Sequence, residues 1–593
     1  MKILIKGGNI ATEECVYAGW DLLIDNGKIM KMEANITETA DTIIDAKGKL
    51  VFPGGIDPHV HLEYPQGGAH IYSADDFFSG SVAALHGGTT TFLDFIEATP
   101  KESLMEAYRK RRADAEARSL TDFSFHMTVN RADDATLAEV EQVAREGVTS
   151  FKMYTAYDGV RLGEADMEKA MNAVARARGL TIVHSEDFPT IQRLVAEHKA
   201  AGHTAPFYHP MCHCIEGEVA SNRVIVAMAH RVPNAHTHIV HVSTPQGALL
   251  VEEARRSGLD FSGEVCPRFD CGGSGCNQSL FRYLCIDESL YKTHPDPTCL
   301  VMSPPLRPRE GCTPLFEALA RGVGLDFVVT DHCPFTARQR LGFRTHPVRV
   351  CVWIYVAITP RAEITSCGDH LVWISPRVEI TPRVISPPCG YHPGVTFHRM
   401  LSHHRSYHTT ACYHHHLPPH VITRFTRFTQ SHLNPQDRQL TREGQLVPGP
   451  QDDPWYAQLP EVPPFFFMPG GGAGIEPRMQ LIFTYGVQRG LMTLPQFVRA
   501  TSAAAARRFG IYPQKGSFKA GADADVVIYD PTVRSTLSAA TSHMLSDRLP
   551  YEGMEVIGKP VVVICRGEIL IRDGQCLNYH AKGRFLAREP LAA

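Results

Sequence analysis

The sequence predicts an α/β protein in which parallel strands close into a barrel, with a small β-sandwich built from both chain ends. Apolar strand-like runs alternate with helical stretches from residue 83 onward, at residues 89–95, 123–129, 149–154, 181–185, 236–242 and 326–330. Alternation of this kind builds a parallel sheet, and enough repeats of it close the sheet on itself. The first fifty residues read differently, as short strands with Gly or Asn-Gly turns in "MKILIKGGNI", "DLLIDNGKIM" and "DTIIDAKGKLVFPG". That pattern returns near the other end in "ADVVIYD" and "GKPVVVICRGEILIRDG". The length of 593 residues agrees, since one ordinary domain takes roughly 100–200 residues and an α/β barrel about 250.

In chain order, residues 1–52 form the first part of the sandwich and 53–343 the first part of the barrel. Residues 469–512 return to the barrel with helices near 477–488 and 494–508, and 513–593 complete the sandwich and end in a tail. Two stretches fall outside this rhythm. Residues 269–282, "FDCGGSGCNQSLFR", interrupt an otherwise continuous reading. Residues 344–468 contain no lysine, 16 of the 41 prolines, 12 of the 30 histidines and near-repeats such as "ITPRAEIT" and "ISPRVEIT". This composition has neither strand nor helix periodicity, so the segment reads as a disordered low-complexity insertion. Its abrupt edges point to translated non-coding sequence. Without both stretches 454 residues remain, a natural size for a barrel and a small sandwich.

Composition narrows the function. A net charge of -4 from 59 basic and 63 acidic residues gives no electrostatic reason for nucleic acid or an anionic membrane as partner. Residues 1–10 lack the apolar core of a signal peptide, and no run of about 18 apolar residues occurs, so a cytoplasmic location is expected. Sixteen cysteines without framework spacing read as reduced thiols. His414-His415-His416 and the Cys271/Cys276 pair are read as incidental rather than as metal sites.

The residues that carry chemistry stand at strand ends. "PGGIDPHVH" sets His59 and His61 two apart, so on a strand both imidazoles share one face and can reach one metal. His184 in "LTIVHSE", His241 in "HIVHVS" and Asp331 in "FVVTDHCP" end later strands, on the barrel rim where sites are built. Singly, each is equally a polar strand-end residue bonded to backbone; jointly they deliver metal ligands to one rim. Lys152 in "VTSFKMYTAY" is anomalous there, because an ammonium repels metal ions unless it has captured carbon dioxide as a carbamate.

These residues, in this order, together with "DDFFSGSVAALHGGTTTFLDF", "GEVCP", "MSPPLRP" and "PYEGMEVIGKPV", resemble the cyclic-amide branch of the amidohydrolase superfamily, closest to dihydropyrimidinases and D-hydantoinases. The resemblance implies a (β/α)8, TIM-like barrel with two divalent metal ions, usually Zn2+. His59 and His61 would bind the buried ion and His184 and His241 the outer one. N6-carboxylated Lys152 would bridge them, and Asp331 would bind the first ion and shuttle protons. Two such ions about 3.5–4 Å apart lower the pKa of a water between them to about 7. Tyr157 would stabilise the oxyanion. Ser303 would pair with the amide edge of the ring, and Gly470 stands where the family places a substrate-contacting asparagine. Glu63 stands where dihydroorotases carry an arginine, so a ring without a carboxylate is expected. The loop 64–74, which shapes the pocket for ring substituents, departs from the family pattern.

The implied reaction is ring opening of 5,6-dihydrouracil or 5,6-dihydrothymine by a homotetramer. A hydantoinase with another ring substrate, or a catalytically silent scaffold, is the alternative.

Overall fold

The computed structural model describes residues 1–66, 71–267, 289–340 apart from 295, 309 and 311, the pairs 410–411 and 424–425, and 465–591. The expectations for 269–282, and all but two residue pairs and the last few residues of 344–468, lie outside the described residues. Two compact units are present, Met1–His346 with Ala457–Ala593, and Pro347–Tyr456. In the second, Thr410–Ala411 pairs antiparallel with Arg424–Phe425.

In the first unit, strands β1 (Lys2–Ala11), β2 (Val16–Asp25), β3 (Lys28–Glu33), β4 (Thr42–Asp45) and β5 (Leu50–Pro53) come from the start of the chain. Strands β6 (Gly55–Val60), β7 (Thr89–Ile96), β8 (Asp122–Thr128), β9 (Ser150–Tyr154), β10 (Leu180–His184), β11 (His236–Ile239), β12 (Asp260–Val265) and β13 (Phe327–Val328) follow. Near the end come β14 (Val526–Thr536), β15 (Glu555–Cys565), β16 (Glu568–Arg572) and β17 (Gln575–Cys576). Strands β6 to β13 form one eight-stranded sheet in sequence order, every pairing in it parallel. A parallel bridge from Val60 to His332 joins its two edges, and the His61 N–H donates to the His332 carbonyl at 2.8 Å. This is the (β/α)8 barrel. Most of its strands are buried end to end, as in β7, because helices cover the outside and side chains fill the inside.

A fully buried guanidinium helps to close the barrel. Arg478 donates to the carbonyls of Ile56 in β6 at 2.8 Å and Val328 in β13 at 3.0 Å, and to the Thr89 hydroxyl in β7 at 3.0 Å. The outer helices start on local signals. Asp76 caps Phe77–His86 through Ser79 N at 2.7 Å. Ser103 and Glu106 form a reciprocal capping box at the head of Leu104–Arg118.

Both chain ends build the second sheet, of nine strands in the order β17-β16-β15-β14-β5-β1-β2-β3, with β4 on β1. It folds over on itself: Ile29 N donates to Ala522 O at 2.9 Å, and Lys28 meets Asp523 at 2.7 Å. Ile3, Ile5, Ile24, Val526, Ile528 and Ile564 fill the space enclosed. Gly54 links this sheet to the barrel, and only glycine fits there, since a Cβ would lie 2.0 Å from Thr90 Oγ1 and 2.9 Å from Asp525 Cβ.

Some elements differ from expectation. Strand β12 was not anticipated, because Ser262 and Gly263 break its apolar run. The two late helices occur, but each carries a π-helical turn, Phe483–Val487 after Arg478–Ile482 and Arg499–Ala503 after Leu494–Val498. No helix among the described residues is long and apolar enough to cross a membrane.

Lys515 is buried where barrel meets sheet, with its ammonium 2.5 Å from Asp122, 2.8 Å from Asp525 and 3.1 Å from Asp523. Asp122 and Asp525 also belong, with Cys565, to a group close enough to hold a metal ion, but Lys515 already supplies its positive charge. Removing one partner from a buried ion cluster costs about 3–5 kcal/mol. Lys515→Met is therefore expected to lower the calorimetric unfolding midpoint by several degrees, and an unchanged midpoint would contradict this reading.

Candidate active site

All six expected ligand positions lie at the C-terminal face of the barrel. His59 is in β6 and His61 just beyond it, Lys152 is in β9, His184 ends β10, and His241 and Asp331 follow β11 and β13. Asp331 is brought to β6 by its neighbour: Thr330 donates to Asp57 through its hydroxyl at 2.6 Å and its N–H at 3.2 Å. His59 Nε2 lies 3.2 Å from His61 Nε2, and each lies 3.3 Å from Asp331 Oδ1. The point equidistant from the three atoms is about 1.9 Å from each, close to the length of a zinc–nitrogen or zinc–carboxylate bond. A second pair faces it, with His184 Nδ1 2.9 Å from His241 Nε2 and the His59 and His241 ring centroids 5.5 Å apart.

The tautomers suit cation binding. Buried Glu264, at the end of β12, accepts from His59 Nδ1 at 2.5 Å and His238 Nε2 at 3.0 Å. Glu186 accepts from His184 Nε2 at 2.8 Å and His213 Nδ1 at 2.9 Å. Each carboxylate fixes the proton on one ring nitrogen and leaves the other lone pair aimed into the site. Burial, reinforced by the Lys152 cation, holds His59 well below the usual histidine range, and burial lowers His184 against the pull of Glu186. Both are neutral at pH 7 and available as ligands. Glu264 and Glu186 were not singled out from sequence. The signal for Glu264 was a carboxylate in an otherwise buried strand.

Lys152 is 1% exposed. Its ammonium sits 5.0 Å from the ring centres of both Phe95 and Tyr154, and among the described residues no carboxylate oxygen pairs with it. Burial pushes it down to about 8, so the neutral amine, the form that reacts with carbon dioxide, is accessible. Phe95 also stacks on His61 at 4.5 Å, and the Tyr154 hydroxyl donates to Glu97 at 3.2 Å. The Tyr157 ring lies 4.8 Å from that of His184.

Ser303 and Gly470 belong to two segments that pair at the rim. Gly471 N donates to Val301 O at 3.1 Å, and Cys333 N, two residues past Asp331, donates to Gly472 O at 3.0 Å. Gly471 is at φ 154, and a Cβ there would come 2.3 Å from Cys333 O. Four of the nine non-glycine residues with positive φ among the described ones, Glu63, Tyr157, His241 and Asp331, stand at or beside this rim. Strained backbone of this kind costs about 1–3 kcal/mol per residue and collects where side chains must be aimed.

Glu63 forms an ion pair with Arg118, which also meets Asp76 and Asp114. Arg118 is thus shared by three carboxylates, and the cluster stays net negative. Residues 67–70 of the neighbouring loop lie outside the described residues.

The sequence pattern of the amidohydrolase family matches residues 50–372 and 470–570. The D-hydantoinase of Geobacillus stearothermophilus is 30% identical over 598 aligned positions, covering 100% of this chain and 98% of that protein. The D-phenylhydantoinase of Escherichia coli K12 is 29% identical over 595 positions, covering 100% and 99%. The crystal structure of dihydropyrimidinase from Brevibacillus agri NCHU1002 superposes with a TM-score of 0.74 at 28% identity, covering 100% of both chains.

A histidine ligand that loses its orienting carboxylate typically loses 10–100-fold in metal affinity. Glu264→Gln is expected to weaken divalent-cation binding by about that factor while the barrel stays folded, as read by competition with a metallochromic chelator. Unchanged affinity would mean that Glu264 does not set His59.

Proposed function

The chain belongs to the amidohydrolase family and is a cyclic amidohydrolase of the hydantoinase and dihydropyrimidinase kind; we propose that it opens 5,6-dihydrouracil or 5,6-dihydrothymine to the N-carbamoyl β-amino acid. The observation that carries the reading is the convergence of two buried histidine pairs and Asp331 around Lys152, at the barrel face that bears active sites. Family members generally use two metal ions. Here His59, His61 and Asp331 would hold one divalent cation, most simply Zn2+, and His184 with His241 the other. Carboxylated Lys152 would join them. Cations bound there polarise a carbonyl and lower the pKa of water.

The chain's own groups do the rest. Asp331, beside His59 and His61 at the barrel mouth, takes a proton from the attacking water. It returns that proton to the ring nitrogen as the carbon–nitrogen bond breaks, so that water oxygen and both protons end in the ureido acid. Tyr157, over His184, donates its hydroxyl to the oxyanion formed at the attacked carbonyl. The 301–303 and 469–472 segments, with Ser303 and Gly470, receive the amide edge of the ring. Gly470 has no side chain to offer, so recognition there falls to backbone groups. A homotetramer is the assembly we expect.

A second reading has a specific observation in its favour, the full-length similarity to D-hydantoinases. In that case five-membered hydantoin rings would be turned over faster than dihydrouracil, and parallel kinetics with the two rings decides between them.

Elemental analysis of protein purified without chelator is expected to find about two divalent ions per chain, and fewer than about one in the folded protein would favour a silent scaffold. Lys152→Ala is expected to lose metal and activity together, with partial rescue by a short carboxylic acid. Full metal and full rate in that variant would refute the bridged centre. In the metal-free protein, capture of carbon dioxide should accelerate as pH rises through about 8, where Lys152 gives up its proton; a pH-independent rate between 7 and 9 would contradict the role given to burial.

A further inference from the structure

Arg340 is among the largest fully enclosed side chains, 2% exposed, and no carboxylate forms an ion pair with it among the described residues. Its Nη1 group donates to the carbonyls of Thr298 at 2.9 Å, Pro469 at 3.0 Å and Val301 at 3.2 Å, and its Nη2 to the carbonyl of Gly471. One guanidinium thus ties together two segments about 170 residues apart in sequence, 298–303 and 469–472. A buried cation whose hydrogen bonds go to carbonyls, with Asp296 and Asp547 acting on it only from further off, carries a desolvation cost that an apolar residue of equal volume would avoid. What the arginine adds is geometry, because a planar fork fixes several acceptors at set angles and an ammonium does not.

We propose that Arg340 is a positioning residue for the substrate ring: it sets the spacing between the backbone of 301–303 and that of 469–472, into which the amide edge fits. It touches no ligand of the candidate metal centre. Its neighbours on this path are the Val301 carbonyl, which also accepts from Gly471 N at 3.1 Å, and Gly472, whose carbonyl accepts from Cys333 N at 3.0 Å. The two segments therefore meet twice, once through their own backbones and once through Arg340. The inference rests on the cyclic-amide reading above, which makes these segments the ring's recognition edge. With Gly470 offering no side chain, that edge depends on backbone placement, and so on Arg340.

The test is steady-state kinetics on R340M and R340K with dihydrouracil, alongside metal content, unfolding midpoint and the pH profile of kcat/KM. In R340M, KM is expected to rise at least about tenfold while kcat falls by less than about threefold, the signature of lost binding rather than lost chemistry. Metal content and the shape of the pH profile should stay those of wild type. R340K, which keeps the charge but not the fork, should show a KM rise of about threefold to tenfold and a near-native midpoint, so it decides the matter if R340M does not fold. KM within about twofold of wild type in every folded variant would overturn the proposal, as would loss of metal together with kcat, which would make Arg340 a residue of the scaffold only. Wild-type protein that turns over no cyclic amide would sink the functional reading itself and the role of Arg340 with it, whereas wild-type turnover with unaltered variants would sink the role of Arg340 alone.

Discussion

Four imidazoles, a carboxylate and an amine gathered in the water-poor mouth of a barrel can coexist only if their protons are tightly assigned. Among the described residues Lys152 makes no ion pair, the carboxyl groups of Glu264, Asp331 and Glu97 acting on it only from further off, and its charge discourages any second cation among the histidines nearby. His59 and His184 are accordingly neutral, and each has one ring nitrogen committed to a buried carboxylate. The remaining lone pairs point at one another across 2.9–3.3 Å. Lone pairs so close are repulsive unless a proton or a metal ion lies between them, and that repulsion is the constraint the surrounding structure is built to withstand.

The scaffold meets it with rigid backbone. Parallel strands deliver the candidate ligands from their C-terminal ends, and the Thr330–Asp57 contact pins the last strand to the first. The barrel is closed a second time by Arg478, whose guanidinium spans three strands, and it is anchored to the chain-end sheet by Lys515. Buried cations make two of these three joints. They bind carbonyls and carboxylates that the sheet pattern leaves over, and they hold loops at distances that apolar packing would leave loose.

Much of this arrangement could be read in advance, and the parts that could not share a cause. His59 with His61, His184, His241 and Asp331 announced themselves because each sits at the end of an apolar run, where strand geometry alone dictates the rim. The partners that orient them did not. Glu264 acquires its role from His59, 205 residues away, and Arg340 from Gly471, 131 residues away, and neither relation leaves a local pattern. Glu63 likewise meets Arg118, 55 residues on, a pairing that leaves no local pattern either. Strand β12 escaped notice because Ser262 and Gly263 interrupt its hydrophobicity, although pairing on both sides makes it a full member of the barrel. Local periodicity specified the elements and tertiary neighbours specified the electrostatics.

The central claim is that these side chains hold two cations joined through Lys152. X-ray absorption at the metal edge of the native protein addresses it without reference to substrate. The account predicts a first shell of nitrogen and oxygen at about 2.0–2.2 Å together with a metal–metal scattering path at about 3.5–4 Å. A first shell with no metal–metal path, in protein carrying its full complement of metal, would contradict it.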